Sequence, residues 1–131
     1  MASIEERVSL AALRDALAEG WSAETSFDPV GWSDRNPALG QCAVTALIVQ
    51  DHLGGELLRG FVGGTEHYWN RLSNGEELDF TIEQFSPELR GSIAGRVTSR
   101  GFVLSFPATR LRYERLREAT RRRFPSIRTN A

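Results

Sequence analysis

Three residues in this sequence could do nucleophilic chemistry together: Cys42, His67 and Asp79. Cys42 is the only cysteine, and it follows Gly40-Gln41 at the head of an apolar stretch, Ala43 to Val49, that reads as a helix. A thiol becomes a strong nucleophile when its pKa falls, and a helix N-terminus lowers it through the helix dipole and the free N–H groups of the first turn. A histidine that takes up the thiol proton, oriented by a carboxylate, completes the logic of a catalytic triad. The Cys42 N–H is then a candidate oxyanion donor. Gln41, Asn36 and the indole of Trp32 are upstream candidates for the second. Taken singly, each residue has a plainer explanation: a lone cysteine fills a core, a strand histidine makes a structural hydrogen bond, and Asp79 pairs with Arg71.

The elements that must position these groups can be read from pattern. Leu10, Leu13, Leu17 and Trp21 have helical spacing, with Ser9 as a cap and Gly20 near the end, predicting a helix over 9–19. Trp21 falls on its packing face. Residues 25–39 are irregular, punctuated by Pro29, Gly31 and Pro37. The Cys42 helix is expected from Gln41 to His52, ended by Gly54-Gly55. The position of His52 near that end is explained by the dipole. Strands are predicted over 56–62, 66–72 and 77–81, with Gly63-Gly64 and Ser73-Asn74-Gly75 between them, so the pairing is antiparallel. A short helix within 86–100, a strand at Phe102-Val103-Leu104 and a helix over 109–123, stopped by Pro125, follow.

The register of the second hairpin decides whether the triad can exist. A two-residue turn, Asn74-Gly75, sends His67 and Asp79 to opposite faces. A three-residue loop, with Leu72 facing Glu76, puts Asp79 opposite Trp69 and diagonal to His67 on one face. The three-residue loop is favoured because it places glycine last, where a left-handed conformation is required. It also separates Tyr68, Leu72, Leu78, Phe80 and Ile82 from His67, Trp69, Arg71, Asp79 and Thr81. Trp32 and Trp69 are cleft candidates on this reading.

Composition bounds the rest. A chain of 131 residues, 40% hydrophobic and 25% charged, suits one α+β domain over 1–125, with a mobile tail at 126–131. One cysteine excludes a disulfide within the chain and multi-thiolate zinc sites. With two histidines and no metal or phosphate motif, no metal and no cofactor are expected. No apolar run approaches the roughly 20 residues of a membrane helix. The first residues do not read as a signal peptide, so a cytoplasmic protein is the expectation. All 16 basic residues are arginine, and eight lie after Thr109 against the acids Glu114 and Glu118. They are spread around their helix without an aromatic platform beyond Tyr113. That disfavours a nucleic-acid partner and favours solvated surface or a homodimer contact.

At Trp32-Ser33, Asn36-Pro37, Gly40 to Leu47, Gly54-Gly55-Glu56, His67 to Asn70 and Asp79 the chain resembles the YunG-like bacterial family. More distantly, the order Cys, His, Asp and the helix-then-sheet layout resemble papain-like and transglutaminase-like cysteine enzymes. That resemblance implies a nucleophile helix packed on a small antiparallel sheet, with helices flanking it at both ends. It implies Cys42 as nucleophile, His67 as base and Asp79 as orienter. The expected activity is a thiol-dependent hydrolase or acyltransferase acting on a small amide, peptide or acyl group. The other expectation is a non-catalytic module that binds a small ligand or a protein in the same cleft.

Overall fold

The computed structural model describes residues 4–91 and 93–123, with residues 4–9 as backbone only. Helix α1 spans Ile4–Gly20 and α2 spans Cys42–Leu53. Strands β1 (Glu56–Val62), β2 (Thr65–Arg71), β3 (Glu77–Leu78) and β4 (Gly95–Thr98) follow, then helices α3 (Arg100–Leu104) and α4 (Pro107–Arg123). The architecture is α+β, with a four-stranded antiparallel sheet in the order β3-β2-β1-β4.

The β1–β2 hairpin turns on two glycines, Gly63 (φ 55°) and Gly64 (φ 82°), with Val62 paired to Thr65. Two successive positive φ angles are the tight-turn geometry that matches strand twist, and glycine adopts them freely. The second hairpin has the three-residue loop. Arg71 pairs with Glu77, the Leu72 N–H donates to Glu76 O at 2.7 Å, and Gly75 takes φ 92°. Asp79 therefore shares a face with Trp69 and His67, as the loop length requires.

The other face of the sheet carries α2. Leu57, Tyr68 and Leu78 join Val44, Leu47 and Ile48 in the core, together with Leu13 and Leu17 of α1 and Tyr113 and Leu116 of α4. Trp21 packs against that core and donates its indole N–H to Thr45 Oγ1 at 3.0 Å. Buried Asn70 donates to Ala46 O at 3.0 Å, tying β2 to the middle of α2. On the His67 face, Trp69 crosses the sheet toward β4. A Cβ on Gly60 would stand 2.9 Å, and one on Gly95 2.6 Å, from Trp69 Cη2, so two glycines leave room for the indole.

Four assignments differ from expectation by more than two residues. Helix α1 starts at Ile4, five residues before Ser9, because good helix formers (Glu5, Glu6, Arg7) let it extend upstream. Strand β3 stops at Leu78, since the Asp79 carboxylate accepts from Thr81 N–H at 3.2 Å and bends the chain off the sheet into a 3-10 turn, Ile82–Gln84. The segment 86–100 holds the 3-10 turn Pro87–Leu89 and strand β4 rather than a short α-helix. Phe102-Val103-Leu104 is helical, because Ser99 Oγ accepts from Phe102 N–H at 3.0 Å and caps α3. The expected proline stop at 125 and mobile tail at 126–131 lie outside the described residues. Among those described, no helix is long and apolar enough to cross a membrane.

Candidate active site

Cys42 is the first residue of α2, reached through a loop that the backbone itself tightens. Gly40 has φ 73°, its N–H donates to Gln84 Oε1 at 3.1 Å, and its carbonyl accepts from Phe27 N–H at 2.8 Å. A Cβ there would stand 2.7 Å from Phe27 N, so glycine is required by conformation and by space. Gln41 precedes the helix with no side-chain cap. Its fully buried amide accepts from Thr25 Oγ1 at 2.8 Å and donates to Ser22 O at 3.0 Å. The thiol that follows is half-buried.

His67 is fully buried on β2. Its ring stacks on Trp69 (centroids 5.5 Å apart, 19° between planes) and meets the edge of Phe85 at 5.1 Å. Nε2 lies 2.6 Å from Asp79 Oδ2, while Nδ1 is buried without a hydrogen-bonding partner of good geometry. Asp79 is held in turn: its Oδ1 accepts from the Thr81 N–H at 3.2 Å and the Thr81 hydroxyl at 3.4 Å.

Burial in this aromatic slot opposes charging the imidazole, but the Asp79 hydrogen bond, the nearby Cys42 side chain and the charges of both outweigh it. The His67 pKa rises to about 9. With Nε2 occupied by Asp79, Nδ1 is the ring atom left to the thiol. The tautomer follows: in the neutral ring the proton belongs on Nε2, toward Asp79, and Nδ1 carries the free lone pair. Strand β3 pairs only with Asn70 and Arg71, so the outer edge of β2 has no strand partner beside His67.

The structure thus brings Cys42, His67 and Asp79 together, with Trp69 against the imidazole. Trp69 is itself fixed, its indole N–H donating to Glu77 Oε1 at 2.8 Å. The remaining candidates shape the loop. Trp32 donates through its indole to Pro37 O at 2.9 Å, and Asn36 Nδ2 donates to Gln84 O at 3.1 Å. Sequence reasoning placed Thr81 on the His67 face without a role and passed over Gln84 and Phe85. Gln84 matters most, because it accepts from the Gly40 N–H and donates to Thr81 O at 3.2 Å. It joins the loop before the thiol to the turn that holds Asp79. Among the described residues no cluster of three or more His, Cys, Asp and Glu side chains could hold a metal ion. Neither of two surface clefts, one beside Arg59 and Phe102 and one beside Trp21 and Arg115, is lined by the three site residues.

An imidazole buried between aromatic rings, with a carboxylate on one nitrogen and a helix-opening thiol left to the other, defines an α+β protein with a Cys–His–Asp cluster at the edge of its sheet. The chain belongs to the YunG protein family, which matches residues 9–125. It is 34% identical over 111 residues to the uncharacterized protein YunG of Bacillus subtilis (strain 168), a similarity that covers 85% of this chain and 90% of that relative. No solved structure matches.

Proposed function

We propose that the protein is a thiol-dependent hydrolase or acyltransferase acting on a small amide, peptide or acyl group. The observation that carries this reading is the division of the His67 ring, with Nε2 on Asp79 and a buried Nδ1 that makes no hydrogen bond, in an imidazole whose charged form the Cys42 side chain favours. The cytoplasm is its expected location.

In the proposed cycle the resting pair is a Cys42 thiolate and a His67 imidazolium with its proton on Nδ1, and the Asp79 carboxylate steadies that imidazolium. The sulfur attacks the substrate carbonyl carbon. The Cys42 N–H, in the uncapped first turn of α2, stabilises the oxyanion. As the tetrahedral species collapses, the bond to the leaving group breaks and His67 gives its proton to that group, leaving a thioester. His67 then takes a proton from water or an acceptor amine, which attacks the thioester and releases the acyl product. The sulfur departs as the thiolate and His67 keeps its proton, so the resting pair is regenerated. Sequence order and layout in papain-like and transglutaminase-like enzymes support the same roles.

A p-nitrophenyl ester supplies the test. Intact-mass analysis should find one acyl group on Cys42, with nitrophenol released in step, and Cys42→Ala should abolish both while keeping the native circular dichroism. Ester cleavage unchanged in Cys42→Ala, or Cys42 acylated no faster than a small free thiol, would refute the proposal.

A further inference from the structure

Arg112 differs from the other arginines of α4. Its Nε is buried with no hydrogen-bond partner, and its one hydrogen bond runs from Nη2 to Thr109 Oγ1 at 3.1 Å. Among the described residues no carboxylate lies within ion-pair distance of it, whereas Arg121 and Arg123 reach Glu118 and Glu19. A guanidinium withdrawn from water without a counter-charge is costly, and such a group normally has an anion to meet.

The position of Arg112 indicates which anion. Its guanidinium carbon stands 5.4 Å from the centre of the Phe27 ring, and Phe27 is 77% exposed. The Phe27 N–H is bonded to the carbonyl of Gly40, two residues before the thiol. Burial lowers the Arg112 pKa, and the Cys42 charge opposes that shift. With Nε buried and Nη2 engaged by Thr109 Oγ1, Nη1 is the donor of the fork left to meet a carboxylate oxygen.

We propose that Arg112 binds a carboxylate of the substrate beside Cys42, so that the preferred acyl donor is anionic close to the bond that is cleaved. This rests on Cys42 being the nucleophile and names the substrate class for that reading. When the thiolate becomes a neutral thioester, the carboxylate stays as the counter-charge of the guanidinium.

Iodoacetate and iodoacetamide test it, since they differ in a carboxylate against an amide next to the carbon that sulfur attacks. The ratio of their second-order rates with Cys42 should exceed the ratio for a small free thiol by roughly tenfold. Arg112→Gln should lose most of that excess, and Arg112→Lys should keep part of it. Arg112→Met, which matches the aliphatic stem, replaces the Gln variant if that one does not fold. A wild-type ratio equal to that of the free thiol would overturn the proposal. So would an undiminished ratio in the uncharged variant, because His67 would then carry the preference alone. The two readings fail separately: an unchanged ratio with a rate that depends on His67 removes only the carboxylate site, whereas a rate indifferent to His67→Gln removes the nucleophile itself.

Discussion

At the scale of single residues, the pairing of His67 with Asp79 ties the site to pH. The His67 pKa is raised from 6.5 to about 9. The folded protein therefore holds this proton more tightly than the unfolded chain, and folding is favoured wherever the proton is bound. The contribution is full below about pH 6.5 and is lost as pH rises through about 9. It is on the order of 3 kcal/mol for a shift of this size. Urea unfolding at pH 6 and pH 9.5 should show the protein less stable at the higher pH, with a much smaller difference in His67→Gln. Equal stability at both pH values in the wild type would refute the assignment. The contact between His67 and Asp79 was legible in the sequence because the loop length fixed their faces. Thr81, Gln84 and Arg112 were not, because their roles come from contacts across the fold: Gln84 bonds to Gly40, 44 residues away. Nothing local in a glutamine or an arginine signals such a partner.

At the scale of elements, the corner before α2 is the part most sensitive to change. Gly40 combines a left-handed backbone with close packing against Phe27 N. Gly40→Ala should cost roughly 1–3 kcal/mol, from backbone strain and from displacement of the 26–28 segment. It should also slow alkylation of Cys42, because the first turn of α2 shifts. Thermal unfolding and iodoacetamide kinetics on one preparation read both effects, and an unchanged melting temperature would contradict the account. The hairpin register was readable because glycine at the third loop position and the segregation of two side-chain sets agree. The early end of β3 was not, since Asp79 reads as a strand residue until its carboxylate is seen accepting from Thr81. The Phe102 segment misled in the opposite direction. Three apolar residues in a row fit strand or helix, and the Ser99 cap decides for helix.

Across the whole molecule, the C-terminal helices pack against α2 through Arg100 and Tyr113 while α4 turns most of its arginines outward. Arg100 Nη2 lies 2.7 Å from Asp51 Oδ1 and 2.9 Å from Tyr113 Oη, and the Tyr113 hydroxyl donates to Asp51 Oδ2 at 2.5 Å. The cluster joins α2, α3 and α4. Burial, the Asp51 hydrogen bond and the Asp51 charge raise the Tyr113 pKa. Arg100→Met should destabilise the fold by about 1–3 kcal/mol, because Asp51 and Tyr113 lose a charged partner in a half-buried setting. Chemical denaturation checks this, and a change under about 0.5 kcal/mol, the usual range for surface substitutions, would contradict it. Sequence alone suggested solvated or dimer-forming arginines. Arg110, Arg115, Arg117 and Arg121 to Arg123 are indeed exposed, while Arg115 also donates to Glu24 O at 3.3 Å and the Arg117 guanidinium lies 5.4 Å from the centre of the Tyr113 ring.

The central claim is that the Cys42 thiol works with His67, and iodoacetamide alkylation at pH 7 tests it most directly. Wild-type Cys42 should react at least tenfold faster than Cys42 in a folded His67→Gln variant, because the neutral glutamine cannot stabilise the thiolate as the His67 imidazolium does. Equal rates in the two proteins would contradict the account.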